Sequence, residues 1–270
     1  MLIQAGFEIV FSCTVPTPMH LQVHVRPERE VDLLAPEQLV TNPFTPYRTY
    51  IDSFGNRCTR IMLPAGTTTL SNLFRIRDSG VQESLPWGAT QSAVEDLPEQ
   101  VIVYLLGSRY CDTDKLATLA WKKFGKIRRG WPLLKAILDY AHTRIKFGYS
   151  HARADRTAFE GHEERVGVCR DYAHLAITLC RCMNIPARYC TGYMGDIGVP
   201  RDPAPMDFSG WFQVYLSGQW YTFDARHNHP RIGRILMATG RDAADVALTT
   251  SFGRMDLTKF LVISDEVVPA

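Results

Sequence analysis

The spacing of apolar residues changes period twice along this chain, and that change limits its fold more than any single motif does. In "MHLQVHVR", Met19, Leu21, Val23 and Val25 alternate with His20, Gln22, His24 and Arg26. This is the period-two pattern of a half-buried strand, with the histidines expected on the solvent face. "TTTLSNLFRIRD" is a second β-leaning run, and "SFGN" at 53 to 56 is a turn signal. From about residue 112 the period becomes helical. Leu116, Leu119, Ala120 and Phe124 follow i, i+3, i+4, i+8 spacing behind the capping residues Asp112 and Asp114. Leu134, Ile137, Leu138, Ala141 and Ile145 share one face behind Pro132. After residue 185 strand texture returns in "IPARYCTGY", "GWFQVYL" and "QWYTFDARHN". The expected organisation is α+β: an N-terminal β-sandwich over 1–95, then a core over 96–270 with helices packed on an antiparallel sheet.

Composition narrows the function. The 270 residues are 46% hydrophobic, enough for a sizeable core. A net charge of +2 gives no electrostatic footprint for nucleic acid. The basic, aromatic-interleaved run "WKKFGKIRRGW" at 121 to 131 reads as a charged helix end and its linker rather than a base-stacking site. No apolar run reaches the ~18 residues of a bilayer span, and "MLIQAGFEIVF" lacks the pattern of a leader. A soluble, cytoplasmic protein with no membrane partner is therefore expected. The cysteines at 13, 58, 111, 169, 180, 182 and 190 are odd in number and scattered, so free thiols are expected. Cys180-x-Cys182 and His227-x-His229 are isolated pairs, and HExxH and phosphate loops are absent, so neither metal nor cofactor is expected.

The stretch "GVCRDYAHLAITLCRCMNIPARY" at 167 to 189 sets Cys169 where a Gly-Val turn feeds a helix. Cys169, Ala173, Ala176, Ile177 and Cys180 form one helical stripe, as a core cysteine would. A thiol in the first turn also meets unpaired N–H groups and the positive end of the helix dipole, which favour a thiolate. The residues alone leave both readings open.

Together with "DFSGWFQVYLSGQWYTFDARHN", that stretch resembles the core of the bacterial transglutaminase-like superfamily, which uses papain-like Cys-His-Asp chemistry. The β-rich first half, with "YIDSFGN", is similar to the β-domain that often precedes this core. The resemblance implies that Cys169 is the nucleophile and Asp224 the acid. It also implies that the family's histidine position is filled by Ser209, since Ser209-Gly210-Trp211 stands where the family reads His-Ala-Trp.

Spacing supports the alignment of that hairpin. If Ser217-Gly218 is a two-residue turn, Leu216 pairs with Gln219 and Trp211 lies opposite Asp224. Residue 209 is then one diagonal step from Asp224, ~7 to 8 Å between backbones. A serine hydroxyl cannot serve as the general base that histidine supplies. His162, His227 and His229 are expected in surface or structural roles, because no spacing brings them beside the thiol. His174 is turned away from the stripe and is expected to pack or hydrogen-bond. Two functions are compatible with the resemblance. One is a cysteine-dependent hydrolase (protease or amidase) or acyltransferase acting on a peptide or protein through a thioester at Cys169. The other is a catalytically impaired module that grips a peptide or protein, favoured by Ser209.

Overall fold

The computed structural model describes residues 1–267. The first half is built from β1 (Leu2–Cys13), β2 (Thr17–Leu21), β3 (Val40–Asn42), β4 (Tyr47–Ile51), β5 (Arg57–Leu63) and β6 (Gly66–Arg77). β1 and β6 run antiparallel along their full length, from Leu2 opposite Arg77 to Cys13 opposite Gly66. Alternate residues of β1, Ile3, Ala5, Phe7, Ile9 and Phe11, face Met19, Leu21, Ile61 and Leu63 of β2 and β5 across a shared apolar core. Two antiparallel sheets packed in this way form the expected sandwich.

Helices follow. The chain forms α1 (Glu99–Ile102), α2 (Thr113–Phe124), α3 (Trp131–Arg144), α4 (Ala158–Glu164) and α5 (Cys169–Cys182). α2 buries Leu116, Ala120 and Phe124, and α3 begins beside Pro132 and buries Leu134, Ile137, Leu138 and Ala141. α5 differs from a one-faced helix, because every residue from Asp171 to Cys182 is buried. A helix enclosed on all sides is an interior element, and its polar residues need partners. Arg181 donates to the carbonyls of Ala187 and Leu106, and Thr178 to the carbonyl of His174.

A two-residue parallel pair, β7 (Lys146–Phe147) and β8 (Val166–Gly167), precedes α5. The third sheet combines β9 (Ala187–Met194), β10 (Ser209–Leu216), β11 (Gln219–Phe223) and β12 (Arg234–Gly240) in the order β11-β10-β9-β12. One face, with Phe212, Val214 and Leu216, packs on α5 and the other helices. From the same sheet Tyr193, Ile235 and Met237 join the sandwich core. The sheet therefore fuses the two halves.

The last strands correct the expected division at residue 95. β13 (Thr249–Ser251) pairs with β2, and β14 (Asp256–Glu266) pairs with β1 from Ile3 to Ser12. The C-terminal segment thus completes both N-terminal sheets rather than belonging to the core. The strand expected over 19 to 26 also stops at Leu21. Gln22, His24 and Arg26 are buried instead of facing solvent. Their partners come from distant segments: Asp245 for Gln22, Thr59 for His24, and Asn56 and Thr239 for Arg26. No helix among the described residues is long and apolar enough to cross a membrane.

Candidate active site

Cys169 is the first residue of α5. Its position is fixed by the turn before it. The Val168 N–H donates to Asp171 Oδ2 at 2.8 Å, and Asp171 also meets Arg156 Nη1 at 3.1 Å. The carboxylate thereby satisfies one donor of the helix start and is itself partnered in the interior. Of the seven cysteines, Cys169 is partly exposed and the other six are buried. Burial pushes the thiols of Cys58, Cys111 and Cys182 up to about 11 and that of Cys190 up to about 12.

The helix terminus does not leave Cys169 with a depressed pKa. Burial raises it, opposed by the nearby Gly210 N–H and by the positive charge of Arg226, and assisted by the carboxylates of Asp224 and Asp207. Desolvation of the thiolate therefore outweighs the Gly210 N–H and the Arg226 charge. These neighbours bring the helix start, the head of β10 and the segment after β11 to one place.

The hairpin geometry follows the spacing of its residues. Ser217 (φ 46°) and Gly218 (φ 80°) both have positive φ, as a type I′ loop demands. Leu216 lies opposite Gln219 and Phe212 opposite Phe223, so the register leads to Trp211 and Asp224. Ser209 begins β10, opposite Gly192 of β9, and is buried. Its carbonyl accepts the hydroxyl of Thr191 at 3.2 Å. Gly210 has a packing reason to be glycine. A Cβ there would come 2.1 Å from Tyr189 Oη and 2.9 Å from Tyr189 Cζ.

Asp224 is buried directly after β11, and its carboxylate collects four N–H donors. Oδ1 accepts the backbone N–H groups of Arg226 at 2.9 Å and His227 at 3.2 Å. Oδ2 accepts His227 Nδ1 at 2.9 Å and Arg234 Nη2 at 3.2 Å. Burial alone would raise the pKa of this carboxyl. The His227 hydrogen bond and the Arg234 charge overcome that and hold it well below the usual carboxylate range.

The cleft beside these residues encloses about 570 Å³, with Tyr149, Asp207, Ser209, Arg226 and His227 in its wall. The Arg226 guanidinium lies 3.5 Å from the centre of the Phe147 ring. His162 is not in a loop. It belongs to α4, buried against the Tyr140 hydroxyl at 2.8 Å. His174 is enclosed in α5, accepts the Ala243 N–H at 3.1 Å, and is held neutral by burial. His229 lies on the surface beyond His227 and meets the Pro230 carbonyl. Sequence reasoning gave no weight to Gly210, Arg226 or Tyr149, and set His227 aside. The Asp-x-x-His spacing at 224 to 227 was the available signal, because an Asp side chain bonds readily to backbone N–H groups two and three residues on.

Residues 130–225 match the transglutaminase-like superfamily domain. A solved structure from Cytophaga hutchinsonii, described as a candidate cysteine protease, is 32% identical and superposes with a TM-score of 0.84, over 100% of this chain and 92% of that one. An uncharacterized protein of Mycobacterium leprae is 25% identical over 224 residues, 77% of this chain and 76% of that protein. Extended likeness in both sequence and fold places the chain in the transglutaminase-like superfamily, a family of cysteine-type hydrolases and acyltransferases.

Proposed function

We propose that the protein is a thiol enzyme that cleaves or transfers acyl groups of a peptide or protein substrate, with Cys169 as the nucleophile. The observation that carries this reading is the placement of Cys169: the one partly exposed cysteine residue of seven, first in a buried central helix, and near enough to the hydrogen-bonded Asp224 carboxylate to feel its charge.

The chemistry is acyl transfer in two stages. The Cys169 sulfur attacks the carbonyl carbon of an amide, the C–N bond breaks, and the thiol proton leaves on the departing amine. The resulting thioester is resolved by water, giving the free acid and regenerating the thiol, or by an amine, giving a new amide. The Asp171 N–H turns back to the Val168 carbonyl at 2.9 Å, which leaves the N–H groups of Cys169 and Arg170 as the first-turn donors available to a carbonyl oxygen that gains charge. The Gly210 N–H and Arg226 support negative charge on sulfur.

Ser209 favours a second reading, a cleft that binds peptides without turning them over, because a hydroxyl replaces the family's imidazole. Turnover of a peptide amide or peptide thioester, with Cys169→Ser as the blank, separates the two. Turnover lost in the Cys169→Ser variant supports the enzyme. Wild type no faster than the blank, together with peptide binding, supports the binding module.

A further inference from the structure

Resting on the thiol-enzyme reading, we propose that His227, three residues beyond Asp224 and not on the β10 strand, is the acid–base residue of this site in place of the histidine absent at position 209. Acyl transfer to Cys169 needs a group that takes the thiol proton and delivers it to the leaving amine. The carboxylate that would orient a histidine at position 209 is already engaged: Asp224 Oδ2 meets His227 Nδ1 at 2.9 Å and Arg234 Nη2 at 3.2 Å.

This contact fixes the tautomer. Asp224 is held ionised and can only accept, so the His227 Nδ1 must carry the proton. In the neutral ring the lone pair is then on Nε2, the form a general base requires. The ring also reaches the cleft. His227 keeps 22% of its side chain exposed and lines the same cleft wall as Ser209, Tyr149 and Arg226. Cys169 feels the charges of Asp224 and Arg226, three residues and one residue before His227. His227 reaches that carboxylate from the segment after β11, at the same open end of the hairpin as Ser209.

The segment bearing His227 is held in place rather than free. The Asn228 N–H returns to the Asp224 carbonyl at 2.8 Å, and His142 Nδ1 reaches the Arg226 carbonyl at 2.9 Å. Asn228 Nδ2 donates to Asp139 Oδ1 at 2.8 Å. The segment is thereby tied to α3, a rigid support of the kind an acid–base residue needs.

The test compares wild type, His227→Gln and His227→Ala in turnover of a peptide amide. Both variants are expected to lose roughly 10² to 10⁴-fold in kcat, with Cys169 still the first thiol alkylated. Free imidazoles added to His227→Ala are expected to restore rate in order of their basicity. A ring that merely filled space or braced the loop would give rescue by size instead. Ser209→His alone is expected to slow the enzyme, because the new ring competes for Asp224 Oδ2. Active wild type with His227→Gln within about threefold of it overturns the inference and leaves the thiol enzyme standing. A gain of ~10²-fold in Ser209→His overturns it too, since the proton carrier would then have been missing. Wild type that forms no thioester overturns both.

Discussion

Gly210→Ala is the smallest change that reaches the thiol through packing. The added methyl would fall 2.1 Å from Tyr189 Oη and 2.9 Å from Cζ, closer than real side chains approach. Tyr189 cannot easily yield, because it is buried with its ring 5.1 Å from that of His174, which itself stacks on Tyr110. The head of β10 must therefore move, and with it the Gly210 N–H that supports the Cys169 sulfur. Overpacking of this kind costs about 1 to 3 kcal/mol. At 2 to 4 °C per kcal/mol for a chain of this size, the Tm should fall by roughly 2 to 12 °C. Iodoacetamide labelling of Cys169 should slow in parallel, since loss of the Gly210 donor raises its pKa further. Tyr189→Phe in the same background removes the worst contact and should return part of both losses, a coupling that a double-mutant cycle would measure. A Gly210→Ala protein that melts with wild type and labels at the wild-type rate would refute the packing of Tyr189 against Gly210.

Other expectations follow from the same geometry. Cys169 should be alkylated before any other cysteine at neutral pH, and Arg226→Gln should slow that labelling by removing the positive charge beside sulfur; mass-spectrometric mapping that finds Cys182 or Cys190 modified first would contradict the site. Asp224→Asn should destabilise at pH 7 by about 1 to 3 kcal/mol, because buried donors lose a charged acceptor. Since the folded pKa of Asp224 is depressed, its contribution is fully present above the unfolded value near 3.9 and drains away as pH falls toward the folded value, so wild-type and Asn variant denaturation midpoints should converge below about pH 4. Deleting residues from 256 onward should unfold or aggregate the N-terminal sandwich, because β1 would become an unpaired edge and lose Val262 from the core, a result that soluble, cooperatively melting truncated protein would exclude.

Where interactions are local, the sequence carried the fold. The stripes of α2 and α3 and the Ser217-Gly218 turn emerged where periodicity and turn chemistry placed them. Where the partner is distant, it was silent. Val23 and Val25 are buried as expected, yet Gln22, His24 and Arg26 are buried too, because Asp245, Thr59 and Thr239 receive them from distant segments. β14 carries no local mark of pairing with β1, some 250 residues away in sequence. At the site, the first turn of α5 and the hairpin register were readable, and it was the family resemblance that singled out Cys169, Asp224 and Ser209. The direction of the thiol pKa was not readable, because desolvation depends on what covers the helix start. His227 was passed over for a related reason: its spacing from Cys169 means nothing until the Asp224 carboxylate curls the chain back on itself.

The central claim is that Cys169 forms a thioester. Mixing the protein with an activated peptide ester, quenching in acid, and mapping the mass gain by proteolysis tests it directly. One acyl group per chain is expected, on Cys169, formed faster than it is lost and absent from Cys169→Ser. An unmodified wild-type chain, or an acyl group spread over other cysteines, would contradict it.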